Sequence, residues 1–350
     1  MPAPEIILDR WVRKQSQECP LFAGYLGKLD LDTVEPPSFS SFLRFVQNTM
    51  NRALQLENAN ASGGNLHPPY HFDYLQVDYL RVKGRPENAY AFEHEGFSFI
   101  AITLPLVQLL WDLSFRLSRS AVVQGLLHID SATTRLDALQ ALLFQFQLTF
   151  LVSHEYTHHV HRHCSRVGDG IWTEFLQNEA IGGLDSQAQE LDADGYAIYL
   201  VLANFVRGAA RQGAIAQLGG QDLPSTEADD LLLMCFFVAL AALFGALWPD
   251  NIQINTSSST VRIEYSIRVA KMWCAQNGSL PESWFSAERF NALFRAATEC
   301  IQGSAPPAWD AHIEFLQNAA GAEYDSLLLE RFEAIRKRPA EPVVTAIAHA

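Results

Sequence analysis

Cysteine is scarce in this chain. Its 350 residues include only five cysteines, which are widely scattered and show no spacing typical of a metal-binding or redox pair. We therefore expect no disulfide framework and no cysteine-ligated metal, and a reducing cytoplasm is the expected location. The first residues, MPAPEIILDRW, also lack the basic region, apolar run and cleavage site of a secretory signal.

Basic residues are also few. Lysine and arginine number 25 against 39 aspartate and glutamate residues, which gives a formal charge of −14. A nucleic-acid-binding protein needs clustered basic side chains to neutralise phosphates, so this balance argues against nucleic acid as a partner. Hydrophobic residues reach 49% of the chain, which is enough for a sizeable core and excludes wholesale disorder.

One stretch lacks polar side chains altogether. Residues 231–248 (LLLMCFFVALAALFGALW) form an apolar run of eighteen residues, the lower limit of length for crossing a bilayer. The flanks carry aspartate and proline, and no lysine or arginine lies nearby to anchor the run at a membrane surface. A fully buried core helix is the favoured interpretation, and a membrane segment is the alternative.

The hydrophobic periodicity indicates a mainly α protein with a small β-sheet, an α+β arrangement. Residues 71–82 alternate between apolar and polar side chains and residues 88–102 are rich in aromatics, so both predict strands before a long central helix. Helices are predicted at about 38–56, 106–120, 134–163, 186–206, 231–248, from about 260, 283–302 and 308–338. We divide the chain into an N-terminal helical and irregular region (1–85), a core (86–275) and a C-terminal helical extension (276–350), packed as one compact unit.

The motif that carries chemistry is HEYTH at 154–158, an HExxH pattern. Residues i and i+4 of a helix lie one above the other, so the imidazoles of His154 and His158 can reach one zinc ion. Glu155 lies about 100° round the helix and can contact a water rather than the metal, as a general base. A random chain of this length would contain roughly 0.02 such matches, which makes coincidence a weak explanation.

A catalytic zinc ion needs a third protein ligand besides water. Glu190 and Asp194 are spaced i, i+4 on a predicted helix, so both carboxylates share one face. We favour Glu190 as the third ligand, and Asp194 can accept a hydrogen bond from the other ring nitrogen of a ligating histidine. Glu179 is the rival ligand, although the two glycines after it argue against a continued helix there. The remaining histidines near the motif are expected to be structural or solvent-facing: His159, His161 and His163.

HEYTHHVHRH followed by QELDADGYAIYL resembles the gluzincin metallopeptidases, in particular the branch containing the CAAX-prenyl endopeptidases and the stress-related membrane and periplasmic proteases. That branch has an HExxH helix, often continuing into an Arg-His pair like Arg162-His163, and a downstream ExxxD helix. Residues 88–92 (NAYAF) and the following GFSFIAITLPLVQLL are similar to the family's Asn-Ala-Phe-Ala strand and the strand and helix after it. The similarity covers about residues 86–202.

The resemblance implies a zincin-like metallopeptidase core with one zinc ion per chain. It also implies an edge strand that pairs with the substrate backbone. The residues expected in this substrate strand are Asn88, Ala89, Phe97, Ser98, Phe99 and Ile100. The family's last active-site element often carries His-Pro followed by arginine, whereas the comparable stretch 256–262 here lacks His-Pro. Arg262 and the nearby Tyr265 are the residues expected to stabilise the oxyanion.

We therefore predict a zinc-dependent endopeptidase for a protein or peptide substrate. His154, His158 and Glu190 bind the metal, and Glu155 is the general base for a water activated by zinc. Three alternatives stay open: a membrane-anchored protease that uses 231–248, a catalytically silent binding module that keeps a structural zinc, and a toxin or host-defence peptidase with one intracellular target.

Overall fold

The computed structural model of the chain describes residues 2–60, 69–82, 86–129, 135–163, 171–173, 184–219, 223–247 and 259–302, with positions 326 and 330. Within these ranges the chain is mostly helical and carries one small mixed sheet, which confirms the predicted α+β class. The predicted helix at 308–338 lies outside the described residues, apart from those two positions.

The predicted helices within the described ranges are confirmed with different ends. The α-helices of the described ranges are α1 (Pro4–Glu18), α2 (Pro37–Asn60), α3 (Leu104–Arg119), α4 (Ala121–Leu126), α5 (Leu136–Val160), α6 (Leu184–Leu202), α7 (Ala210–Gln217), α8 (Ser225–Leu247), α9 (Ser259–Asn277) and α10 (Ala287–Gln302). Of these, α1, α4 and α7 were not predicted as separate helices. A π-helical segment, Ala203–Arg207, follows α6 directly. Helices α1, α2 and α3 each have a proline in the first turn, where a helix does not need the missing N–H.

The sheet has five strands in the described part of the chain. They are β1 (Tyr25–Lys28), β2 (Tyr70–Val77), β3 (Ala89–His94), β4 (Phe97–Thr103) and β5 (Ile171–Thr173), in the order β1-β2-β4-β3-β5. Strands β2 and β4 run parallel, and the other neighbouring pairs are antiparallel. The strands predicted at 71–82 and 88–102 are confirmed, whereas β1 and β5 were not predicted. Because β1 and β2 belong to 1–85, that region completes the same sheet as the core.

Strand β4 lies inside the sheet and is paired with β2 on one side and β3 on the other. Its backbone N–H and C=O groups are therefore already used by its neighbours, and a substrate strand cannot be added there. The expectation that Phe97, Ser98, Phe99 and Ile100 pair with substrate is wrong. The physical reason is that β2 runs parallel to β4 and covers the side that would otherwise be open.

Asn88 and Ala89 are buried at the start of β3. The side chain of Asn88 is buried, donates a hydrogen bond to the Tyr90 hydroxyl and accepts one from the backbone N–H of Ala89. Ala89 is fully buried and pairs with Ile102 of β4. The other edge of β3 pairs with β5 from Tyr90 to Phe92, and the assignment of Asn88 and Ala89 to a substrate strand stays a prediction.

Both faces of the sheet are covered. On one face α1 packs through Trp11, whose ring stacks on Phe92 of β3 with the centroids 3.9 Å apart. On the other face lies the large helical core, which includes α3, α5 and α8. The ring of His159 on α5 donates through Nε2 to the carbonyl oxygen of Phe99, 2.9 Å away, so the HExxH helix is tied to the central strand β4.

Helix α8 carries the apolar run and lies within the helical core. It packs against α5 and α10, and most of its side chains are buried. Its one buried carboxylate, Asp229, is neutralised by ion pairs with Arg207 and Arg211. Helices α5 and α8 are still long and apolar enough to span a bilayer when judged by length and composition, but most of the apolar window of each is buried by protein. Such burial is typical of core helices.

The packing of α6 against α9 can be tested at Gly195, where the two helices approach closely. A Cβ atom at Gly195 would lie 3.0 Å from Cε1 and 3.1 Å from the hydroxyl oxygen of Tyr265, whereas one at Gly213 of α7 would meet no atom within 4 Å. We expect Gly213→Ala to raise the free energy of unfolding by about 0.5–1 kcal/mol, because alanine is the better helix former. Gly195→Ala should instead lower it by about 1 kcal/mol or more through overpacking. Urea denaturation measures both, and equal stabilisation by the two substitutions would contradict the close approach.

Candidate metal centre

Three helices build the site. Helix α5 presents His154 and His158 one turn apart, and α6 presents Glu190 and Asp194 one turn apart. Both pairs face each other across the α5–α6 contact, as the i, i+4 spacings predicted. Helix α9 adds Arg262, and all five side chains are buried.

The two imidazoles and the Glu190 carboxylate converge on one point. Nε2 of His154 lies 3.0 Å from Nε2 of His158, and the Glu190 oxygens lie 3.3 Å from the first and 3.8 Å from the second. Tetrahedral zinc with ligands at about 2.0–2.1 Å separates neighbouring ligand atoms by roughly 3.3 Å. The three ligand atoms, all within 4.8 Å of one another, can therefore hold one metal ion.

The other nitrogen of His154 fixes the orientation of its ring. Nδ1 lies 2.9 Å from Oδ1 of Asp194, an ionised carboxylate that only accepts hydrogen bonds. Nδ1 must therefore carry the proton, which leaves the lone pair of Nε2 directed at His158 and Glu190. This is the role that the sequence predicted for Asp194, and it prepares His154 as a metal ligand.

Arg262 binds the carboxylates of the site. Its guanidinium binds Asp194 in a bidentate pair, with Nε and one terminal nitrogen each 2.6 Å from a carboxylate oxygen. The remaining nitrogen lies 3.7 Å from Glu190, and the side chain is only 1% exposed. The cation is thus held by Asp194 and lies close to the expected ligand Glu190, and its role as an oxyanion stabiliser stays a prediction.

The electrostatic environment favours the protonation states that a metal site requires. Burial, reinforced by the neighbouring histidines and by Arg262, lowers the pKa of His158 well below its usual value, so its imidazole is neutral. Burial alone would raise the pKa of Asp194, but the charge and hydrogen bonds of Arg262, helped by His154, hold it below its usual value. A neutral ring and an ionised carboxylate are the forms that bind and support a metal.

Glu155 is fully buried on the same turn of α5. Glu155 lies one turn before His159, whose ring bonds to the carbonyl oxygen of Phe99, so both residues are on the side of α5 that faces the sheet. Tyr265 is half-buried and lies against Gly195, one residue beyond Asp194. The general-base role of Glu155 and the oxyanion role of Tyr265 stay predictions. Glu179 lies outside the described residues.

A second cluster beside the centre was not predicted. Asp192 of α6 lies 2.5 Å from Nδ1 of His161 and 3.4 Å from Nε2 of His163, and Nδ1 of His163 lies 2.8 Å from Nδ1 of His158. His163 is fully buried rather than solvent-facing. The only sequence signal for this cluster is the position of Asp192 two residues after the expected ligand Glu190.

No protein-family model matches the chain, and neither the curated proteins nor the solved structures contain a significant match. The function of the chain is consequently inferred from the geometry of the site itself.

The buried ion pair between Arg262 and Asp194 can be tested by removing the cation. Arg262→Met leaves a buried carboxylate without its main counter-charge, and we expect the free energy of unfolding of the metal-free protein to fall by about 3–5 kcal/mol. Arg268→Met is the matched control, because Arg268 is an exposed arginine of the same helix paired with Glu264, and its loss should cost under about 1 kcal/mol. Similar losses in urea denaturation of the two variants would contradict the buried pair.

Proposed function

We propose that the chain is a zinc-dependent endopeptidase of the gluzincin type. The observation that carries the proposal is the convergence of two imidazole nitrogens and one carboxylate, all buried, beside a glutamate on the same helix turn. Two histidines and one glutamate with no cysteine form the ligand set of a catalytic zinc, whereas structural zinc sites are usually closed by four ligands that include cysteine.

His154, His158 and Glu190 would hold the metal. When bound, zinc would supply Lewis-acid polarisation of the scissile carbonyl and would lower the pKa of a water at the open position. Asp194 keeps the proton of His154 on Nδ1, so that Nε2 is available as a ligand. Arg262 keeps the Asp194 carboxylate ionised and fixed in place.

Glu155 would move the protons of the reaction. Its carboxylate takes one proton from the attacking water and later delivers it to the leaving amine, so the peptide bond is replaced by a free carboxylate and a free amine with no other reagent consumed. The adjacent position of Glu155 and the ligand His154 on α5 supports this role.

A protein or peptide segment is the substrate class of this proposal. Among the described strands, β5 has a neighbour on one side only, and that neighbour is β3, which packs against α5. A substrate that adds to the sheet would therefore pair with β5 rather than with the internal strand β4. A cytoplasmic location belongs to the same proposal, since the burial of α8 gives no support to a membrane anchor.

The metal and the base can be tested separately. We expect purified wild type to contain one zinc ion per chain and to hydrolyse a mixture of denatured proteins. Glu155→Gln should keep the zinc and lose activity by at least about 100-fold, because the base is removed and the ligands are not. His158→Ala should lose both zinc and activity. Elemental analysis and release of free amines are the measurements.

Glu282→Gln provides the control for a glutamate-to-glutamine change, because Glu282 is exposed and paired only with Lys271 at the surface. It should keep both zinc and activity. Wild-type activity in Glu155→Gln would contradict the role of Glu155. Stoichiometric zinc in an inactive wild type would instead favour the catalytically silent binding module.

A further inference from the structure

A chain of polar contacts leads away from His158 on the side opposite the metal ligands. Nδ1 of His158 lies 2.8 Å from Nδ1 of His163, and Nε2 of His163 lies 3.4 Å from Oδ2 of Asp192. His163 and Asp192 are both buried, and neither belongs to the ligand set. The contacts thus extend from the metal centre through one further histidine to a carboxylate.

The end of α5 brings His163 to this position. The backbone N–H of His163 donates to the carbonyl of His158 at 2.8 Å, and that of Arg162 donates to the carbonyl of His159 at 3.0 Å, which is a Schellman turn. Arg162 occupies the left-handed position of the turn, with φ of 60°. Glycine is the usual residue at such a position. The turn folds His163 back onto the last turn of the helix.

The protons of this chain can be assigned from the nitrogens alone. If Nε2 of His158 binds a metal, its proton must be on Nδ1, which donates to Nδ1 of His163. His163 then accepts at Nδ1, and as a neutral imidazole it carries its own proton on Nε2. That proton faces Asp192, whose ionised carboxylate only accepts. One arrangement of protons therefore fits all three groups, with the His163–Asp192 contact a 3.4 Å ion-pair distance and not a short hydrogen bond.

We propose that His163 and Asp192 are positioning residues for the metal ligand His158, as Asp194 is for His154. The proposal depends on the proposed function, because it requires a metal ion on Nε2 of His158. His163 holds the ring and raises its basicity through the hydrogen bond, and Asp192 fixes the tautomer of His163.

The same cluster offers a competing interpretation, a second metal ion bound by His161, His163 and Asp192, whose ligand atoms lie within 4.8 Å of one another. A metal on Nε2 of His163 would move the proton of that ring to Nδ1. Two Nδ1–H groups would then face each other 2.8 Å apart, between His163 and a metal-bound His158. The two sites therefore cannot bind metal at the same time while the contact between His158 and His163 is kept. The positioning role of His163 is favoured for this reason.

The test is the zinc affinity of the metal-stripped full chain, measured by competition with a chromophoric chelator. His163→Phe fills the space without an acceptor, and we expect it to weaken zinc binding by about 10–100-fold. His163→Gln restores an acceptor and should recover part of the loss. Asp192→Asn should weaken binding by about 10-fold, because it keeps the shape and removes the charge. The visible spectrum of the cobalt-substituted protein should shift in His163→Phe and return towards wild type in His163→Gln.

His161→Gln is the control, since His161 contacts Asp192 but not His158, and its zinc affinity should stay within about 3-fold of wild type. Urea denaturation of the metal-free variants identifies any variant that does not fold. If His163→Phe does not fold, the zinc affinities of His163→Gln and Asp192→Asn decide the result. Zinc binding by wild type with unchanged affinity in His163→Phe and Asp192→Asn would overturn the positioning role and leave the proposed function standing. Two zinc ions per chain, one of them lost in His161→Gln, would overturn the positioning role in favour of the second metal site.

A wild type that binds no zinc would overturn both the positioning role and the proposed function.

Discussion

The carboxylate of Asp194 joins three helices at one buried point. It lies on α6, accepts from His154 of α5 at 2.9 Å and binds the guanidinium of Arg262 of α9 through two contacts of 2.6 Å. An unpaired buried charge would cost several kcal/mol. Helices α5, α6 and α9 must therefore keep their relative positions for Asp194 to stay paired. The orientation of the His154 ring, and with it the direction of its metal-binding nitrogen, follows from the same contact.

Three acidic residues of α6, at positions 190, 192 and 194, contact different histidines at the end of α5 and just after it. Glu190 faces Nε2 of His154 and Nε2 of His158, the candidate metal ligands, while Asp194 holds the other nitrogen of His154. Asp192, between them in sequence, contacts His161 and His163, which follow the end of α5. One turn of α6 thus supplies a candidate ligand and two further carboxylates, and the histidines and Arg262 around it balance these buried charges.

The parts of the structure that the sequence predicted are governed by local spacing. The i, i+4 pairs on α5 and α6 and the strands near 71–82 and 88–102 follow from helical and strand periodicity. The parts that it did not predict depend on contacts between distant segments. The parallel pairing of β2 beside β4 changes which strand is internal, and the packing of α9 decides that Arg262 meets Asp194. The position of His163 depends on a left-handed residue, Arg162, that is neither glycine nor asparagine and so gives no turn signal.

We propose that one metal ion binds between α5 and α6 at the Nε2 atoms of His154 and His158 and the carboxylate of Glu190. The most direct test is a crystal structure of the zinc-loaded protein, with anomalous diffraction recorded on both sides of the zinc absorption edge. We predict one peak within about 2.0–2.2 Å of those three ligands. A peak at His161, His163 and Asp192 instead, or no peak at either cluster in protein that contains zinc, would contradict the claim.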